Sequence, residues 1–475
     1  MDNRRNVWAL VAVALATFMT YLDNNIINVA IPVIEKDLHL TTSGIEWIVS
    51  SYILTFAGLM LIGGRLADLF GRRRLFLIGL GVFTVASLFA GLSGDVSTLI
   101  ASRALQGVGA ALLTPTTLAI ITATFTDTRA RNMAVGIWGA VGALALAAGP
   151  LLGGVLSQHV SWSWIFYINL PVGIVTAALA VWAIDESRDP VSRSLDWAGL
   201  ALSTVGLVAL TYGLIEGHGQ GWTSGTILGV LALALSSFAA FIVVEKSVKD
   251  PMVDLSLFSN SVFSGALTAL MLWAFGLFGI YFFTSLYLQG VLGFSPTKAG
   301  VAFVPMALLM AVSAAISEPV ARRFSAHRSV PFGMTIMAAG IGSVAFFDGG
   351  ASLLDLMPSF ALIGIGGGMT IPLTATVLGI MPVDRAGVAS GVFNTSREVA
   401  GLLGITVIGA ILTGRQESLI RGGSTPLDGF LGGYQLGLVV AAALVGAGAV
   451  ASWLALRKVE AEPLTTVDPG LVLAA

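Results

Sequence analysis

The sequence contains no cysteine, which excludes a disulfide framework, a thiolate nucleophile and thiolate metal ligands. It is also poor in charge: 11% of its 475 residues are Asp, Glu, Lys or Arg, against roughly 25% in a water-soluble domain. Too few polar side chains are present to cover a water-facing surface of this length, so a large soluble protein is excluded. A formal net charge of −2, with basic residues scattered over short loops, excludes a nucleic-acid partner. The histidines at 39, 159, 218 and 327 fall in loops without metal-ligand spacing. No stretch reads as a strand leading into a glycine-rich phosphate loop, and no P-loop motif occurs. The chain therefore reads as no enzyme, with no metal and no cofactor, and ATP as no energy source within it. At the N-terminus a short basic stretch, Met1 to Asn6, precedes an apolar run too long for a signal-peptide core, so that run reads as a membrane span.

What the sequence has in abundance is long apolar runs. Hydrophobic residues make up 56% of the chain, and the mean hydropathy is +0.90. Runs of about 20 apolar residues mark spanning helices, and fourteen can be placed. The first six are Val7–Pro32, Gly44–Gly64, Leu75–Ser93, Ser97–Phe125, Met133–Ser157 and Trp164–Ile184. Two more follow, Trp197–Ile215 and Ile227–Val244. The last six are Phe263–Leu288, Thr297–Ser317, Pro331–Phe347, Leu354–Ile380, Ala386–Thr413 and Tyr434–Leu456. An even count puts both termini on one side. With that side cytoplasmic, roughly 18 Lys/Arg lie inside and about four (Lys36, Lys298, Arg415, Arg421) outside, as the positive-inside rule requires.

The organisation is six, two and six. Residues 1–184 form an N-terminal six-helix bundle, 185–262 a linker carrying two additional helices, 263–457 a C-terminal six-helix bundle, and 458–475 a cytoplasmic tail. A faint echo links GRLADLFGRRRL, Gly64 to Leu75, with SEPVARRFSAHR, Ser317 to Arg328, at the same position in the second half. Such an echo is what a duplicated transporter half leaves. In the first of these stretches Gly64 and Gly71 permit a tight turn, while Asp68 and Arg72 to Arg74 place charge at the cytoplasmic face.

Ionisable residues at membrane depth cost roughly 2.5–3.5 kcal/mol each and mark function by default. Asp23 lies in the first span and Arg103 in the fourth, at similar depth, so the two can pair across the bundle. Burial favours the neutral form of a carboxylic acid, and a nearby arginine favours the charged form. A cavity that opens alternately to either side changes both, which is what proton coupling requires. Arg397 and Glu398 lie near the midplane of the thirteenth span, and Glu398 reads as a second proton-coupling or substrate site. Neighbouring helix positions point about 100° apart, so these two need not pair with each other. Asn24, Asn28, Tyr52, Tyr281, Tyr287, Gln289 and Asn394 are polar groups that can share a cavity with them. Glu46 reads as interfacial. The fifth span carries Gly149, Pro150, Gly153 and Gly154, a packed bend against a neighbouring helix.

These residues resemble the major facilitator superfamily, specifically its fourteen-helix drug–proton antiporter branch. Gly64–Leu75 resembles the loop signature between helices 2 and 3, LDNNIINVAIP (Leu22 to Pro32) the first-helix signature, and Arg103 with Gln106, Gly107 and Gly109 the fourth-helix signature. Gly136 with Gly149–Gly154 resembles the antiporter signature of helix 5. The resemblance implies an all-α fold of two pseudo-symmetric six-helix bundles plus two central helices. It implies rocker-switch alternating access driven by protons, with Asp23 and Arg103 in the coupling machinery. It also implies that Asp68 and Arg72 latch the cytoplasmic side against the start of the thirteenth helix, after Pro382–Arg385. The chain departs from the pattern at Ala145, usually glycine, at Ser163, usually arginine, and at Glu398, where glutamine is common. The expected function is export of small apolar or cationic compounds, antibiotics and toxic cations among them, across the cytoplasmic membrane by a monomer. The alternative is a dedicated exporter of one endogenous metabolite, siderophore or lipid.

Overall fold

Lipid offers no hydrogen bonds, so each membrane-crossing segment must satisfy its own backbone, and the helix does this within one segment. The computed structural model is accordingly helical and contains no strand among the residues it describes, which are 2–188, 196–379 and 383–461. The expected tail from residue 462 onward and residues 189–195 of the first linker lie outside the described residues.

Among the described residues, fourteen spans run in chain order. The first six are α1 (Asp2–Leu38), α2 (Thr42–Phe70), α3 (Arg72–Leu92), α4 (Val96–Thr124), α5 (Thr128–His159) and α6 (Trp164–Ala183). The added pair is α7 (Trp197–Gln220) and α8 (Gly225–Ser247). The last six are α9 (Ser261–Leu286), α10 (Pro296–Phe324), α11 (Ala326–Val344), α12 (Leu353–Gly368, continued by Ile371–Gly379), α13 (Val383–Arg421) and α14 (Pro426–Ala461). All but α11 are both long and apolar enough to cross a bilayer by themselves. Most helices run several residues past the apolar stretch that marks them. The helix α1, for example, continues through Pro32 to Leu38. Side-chain caps set several starts: Thr41 accepts from the Gly44 amide, Asp95 from Thr98, and Ser295 from Lys298, while Ser352 and Asp355 form a capping box.

The stretch from Gly64 to Leu75 is almost entirely helix. The helix α2 continues to Phe70, and the turn into α3 is the single residue Gly71 at φ +112°, a conformation that L side chains avoid. The Glu186 carboxylate sits beside Gly71 and accepts from the Arg73 and Arg74 amides at 3.2 Å each. It thereby occupies the positive end of α3. Close packing of α2 falls one residue before the sequence-marked glycine. A Cβ on Gly63 would lie 2.1 Å from the Ala111 carbonyl oxygen, whereas one on Gly64 would only touch Pro115, at 3.5 Å.

The two six-helix sets pack alike. In the first, α2 and α3 lie on α4, α1 lies on α5 and α6, and α3 lies on α6. Adding eight to each number reproduces the second: α10 and α11 on α12, α9 on α13 and α14, and α11 on α14. The sets meet where α5 packs on α10 and α2 on α13, two contacts that exchange under the same rule. The helix α7 packs on α8, and also touches both α2 and α13.

The α5–α10 contact is backbone against backbone at one end of the bundle. A Cβ on Gly154 would lie 2.3 Å from the Pro296 carbonyl oxygen, and one on Gly300 would lie 2.3 Å from that of Pro150. Gln158 accepts from the Thr297 amide at 3.0 Å, and Gln289 donates to the Val29 carbonyl at 2.9 Å. Toward the other end nothing lies within 4 Å of a Cβ built on Gly136 or Gly139. The halves still meet between α2 and α13 at Leu61, which a Cβ on Gly391 would approach to 3.1 Å, and along α5 and α10 they are thus zipped at the end carrying His159. Gly154→Val is expected to unzip this end and shift the population to the opposite state. Double electron–electron resonance between labels on α5 and α10 near residues 154 and 300 checks it, and distances unchanged from the parent would contradict it.

Glu46 lies in the first turns of α2, the end position expected of it, and is covered by protein. It is 3% exposed and lies between α2 and α13, where a Cβ on Gly409 would meet its carboxylate at 2.1 Å. The small residue on the facing helix makes room for the acid. Close by, Glu216 of α7 accepts from Ser43 and Trp47 of α2 at 2.6 and 2.9 Å. His218 Nε2 lies 2.6 Å from the Glu417 carboxylate of α13, an ion pair when the imidazole is protonated.

Candidate functional site: a central cavity and two buried ion pairs

Polar residues survive at depth only where other side chains satisfy them, and two such clusters face the middle of the bundle. In the first, Asp23 of α1 and Arg103 of α4 form a salt bridge in which both side chains are fully buried. Asp23 Oδ2 accepts from Arg103 Nη1, and Oδ1 accepts from Gln106 Nε2 and Asn169 Nδ2 at 2.9 Å each. Gln106 also accepts from Arg103 at 2.9 Å and donates to Ser87 at 2.8 Å. The guanidinium lies over the Tyr52 ring, 4.3 Å from its centroid, and its Nε donates to the Ile48 carbonyl at 3.3 Å. Five helices of the N-terminal set therefore hold one carboxylate. Ser87 escapes a reading of the sequence because a single polar residue in an apolar run carries no signature. Asn169 could have been singled out as the lone amide beginning the apolar stretch of helix six.

The second cluster lines a cavity of about 300 Å³ between the two sets. Its walls are mostly apolar, from α1, α2 and α5 on one side and α9, α10, α12 and α13 on the other. Arg397 and Glu398 do pair, because the arginine is long enough to bridge adjacent positions. Arg397 Nε and Nη2 donate to Glu398 Oε1 at 3.1 and 2.7 Å, and Tyr21 is the other side chain that Arg397 meets. Glu398 Oε2 is buried with no hydrogen-bond partner among the described residues. Trp273 Nε1 and Asn28 Oδ1, also from the wall, are likewise without one.

Of the polar residues grouped from the sequence, Asn24, Asn28, Tyr281, Arg397 and Glu398 line this cavity. The others lie off it. Tyr52 is 1% exposed beneath Arg103. Tyr287 stacks on Tyr434 and donates to the Asp348 carbonyl at 2.7 Å. Gln289 is held at the zipped end, and Asn394 donates to the Ser390 carbonyl on its own helix at 3.0 Å. Asp23 is also off the wall, yet its neighbours Tyr21, Asn24 and Asn25 are on it. In the glycine-rich bend, Gly149 and Gly153 pack on Asn25 and Ile26 of α1 and Gly154 on α10, whereas Gly136 meets nothing. Asp68 pairs with Arg72 on the next turn at 2.9 Å, and Arg72 also reaches the Ala119 carbonyl at 3.5 Å. The start of α13 that Asp68 would latch, residues 380–382 with the side chains through 388, lies outside the described residues.

A family model of the Major Facilitator Superfamily matches residues 13–405. The puromycin resistance protein of Streptomyces alboniger is 34% identical over 459 residues, covering 95% of this chain and 91% of that protein. The tetracenomycin C resistance and export protein of Streptomyces glaucescens is 35% identical over 410 residues, covering 86% and 76%. Among solved structures, a bacterial homologue of the human lysosomal transporter Spinster aligns with TM-score 0.70 at 17% identity, over 95% of this chain and 97% of that one. That likeness is one of fold.

Proposed function

The chain belongs to the major facilitator superfamily, and from that premise we propose a proton-coupled antiporter that exports small apolar or cationic compounds by alternating access. It is a multi-pass membrane transporter, not an enzyme, and its relatives are antibiotic and multidrug exporters. One observation carries the finer reading. A mostly apolar cavity lies between two pseudo-symmetric halves, and a closed carboxylate–arginine pair sits one residue behind its wall. Tyr21, Asn24 and Asn25 border the cavity, and Asp23 is held on the same turn of α1. A compound that displaces this turn strains the contacts of Asp23 with Arg103, Gln106 and Asn169. A proton on Asp23 weakens the same contacts, since it removes the charge that Arg103 binds. Either event alone thus loosens the pair and permits the switch, as antiport requires of a compound and a proton that cross in opposite directions.

In this reading the end carrying Thr128 faces the cytoplasm, as do both termini, and the zipped end faces outward. The residues Asp68 and Arg72 form part of the inner latch. The driving force bounds the result: 100 mV supplies about 2.3 kcal/mol per charge and one pH unit about 1.4. Together these sustain a gradient of roughly 400-fold for an uncharged compound exchanged against one proton.

The test is efflux from vesicles reconstituted with the purified protein, under an imposed pH gradient, over a panel of antibiotics and dyes. Counterflow of protons with compound efflux is expected. Efflux that ignores the pH gradient would overturn proton coupling. Movement of a single compound class out of the whole panel would replace multidrug export by a dedicated exporter.

A further inference from the structure

Among the described residues of the cavity wall, the charges cancel. Arg397 and Glu398 are the charged side chains there and are bound to each other, and the Asp23–Arg103 pair behind the wall is equally balanced. A permanent cation entering this space would add an uncompensated charge beside a guanidinium whose side chain is 25% exposed. An anion would meet the free oxygen of Glu398. Desolvating an unpaired charge in an apolar site is the larger penalty in either case.

The same wall has hydrogen-bonding capacity left over. Glu398 Oε2 and Asn28 Oδ1 are acceptors without donors, and Trp273 Nε1 is a donor without an acceptor. Glu398 and Asn28 are 2% and 8% exposed. Buried polar atoms of this kind are normally paired, and a ligand that pairs them regains their desolvation cost. Trp273 and Tyr281 line the same wall and add aromatic surface for a flat apolar body.

We propose that the cavity recognises uncharged, ring-bearing compounds that present an N–H or O–H donor to Glu398 and a carbonyl-type acceptor to Trp273. This rests on the export reading above and selects the neutral half of its substrate range. The role of Glu398 is then hydrogen-bond acceptor, not counter-ion, with Arg397 holding it in place. One electrical property follows. A proton exchanged for an uncharged compound moves net charge, whereas a proton exchanged for a monocation moves none. Transport of the proper substrate therefore responds to membrane potential.

Three compounds built on one ring separate the cases: acridone (neutral, with donor and acceptor), N-methylacridone (neutral, acceptor only) and 10-methylacridinium (a permanent cation). Binding to the full chain in detergent is followed by ligand fluorescence. Acridone is expected to bind about tenfold more tightly than N-methylacridone, the effect of a hydrogen bond to a carboxylate, with the cation weakest. Trp273→Phe should weaken both neutral compounds by about fivefold, one neutral hydrogen bond, and leave the cation unchanged. In vesicles, a potential of 100 mV at fixed pH gradient should shift the steady-state acridone gradient by up to about 50-fold.

Tightest binding by 10-methylacridinium, abolished in Glu398→Gln, would overturn the proposal, as would failure of all three to bind. If the binding order holds but the pH gradient moves none of them, the cavity chemistry stands and proton coupling falls.

Discussion

Asp23→Asn is expected to reduce pH-driven efflux below a tenth of wild type while the bundle still inserts and folds. The substitution is close to isosteric, so the space between α1, α4 and α6 stays filled. It cannot reproduce the bonding. Asp23 accepts three hydrogen bonds, from Arg103, Gln106 and Asn169, and donates none. An asparagine turns one oxygen into a donor that must face another donor, and it leaves Arg103 with no counter-charge. More to the point, an amide cannot take up and release a proton. Efflux driven by a pH gradient is the measurement, with binding of acridone as the control. Retained gradient-driven efflux in Asp23→Asn would remove Asp23 from the coupling mechanism. Retained binding with lost efflux is the expected pattern, since Asp23 is not on the cavity wall.

Arg103→Met is expected to cost more in stability than any other single change proposed for this chain, about 3–5 kcal/mol, the range for leaving one partner of a buried ion pair uncompensated. Gln106 and Asn169 would remain as neutral donors to a carboxylate, too little to hold a charge at that depth. The stacking of the guanidinium on Tyr52 and its bond to the Ile48 carbonyl would go as well. Thermal unfolding in detergent reads the loss. The double variant Asp23→Asn/Arg103→Met has no unpaired charge and should be more stable than Arg103→Met alone, a departure from additivity that marks direct coupling. Additive losses would show that the two side chains act independently and that the pair is incidental.

Residue chemistry makes the fold legible, because lipid permits so little else. Long apolar runs, an even count and a basic asymmetry are enough to place fourteen helices. Their ends are less legible, since helices outlast their apolar stretches, as α1 does beyond Pro32 and α2 through Arg65 and Asp68. Similar depth allows the Asp23–Arg103 pair, and the structure makes it. The cavity wall does not: whether Tyr287 or Trp273 faces it depends on the rotation of α9, which its nearly continuous hydrophobicity leaves undefined. Glu398 shows the same limit. An extra acid in a membrane helix suggests a site for cations, and only the neighbouring arginine, folded back onto it, shows how its charge is spent. Close approaches are hidden for another reason: Gly63, Gly154 and Gly300 differ from the other glycines only in what packs against them.

The placement of the added pair bears on how a solute dissolved in the bilayer would arrive. The helix α7 touches both α2 and α13, and α8 lies outside it, so one lateral slit between the halves is roofed from lipid. The matching slit between α5 and α10 has no such roof among the described residues, and Leu144 and Val312 on its flanks are 61% and 57% exposed. A transporter with two equivalent flanks would admit membrane solutes from either. Here the two flanks differ: α7 covers one, and the other is bordered by the two helices whose glycines pack backbone on backbone.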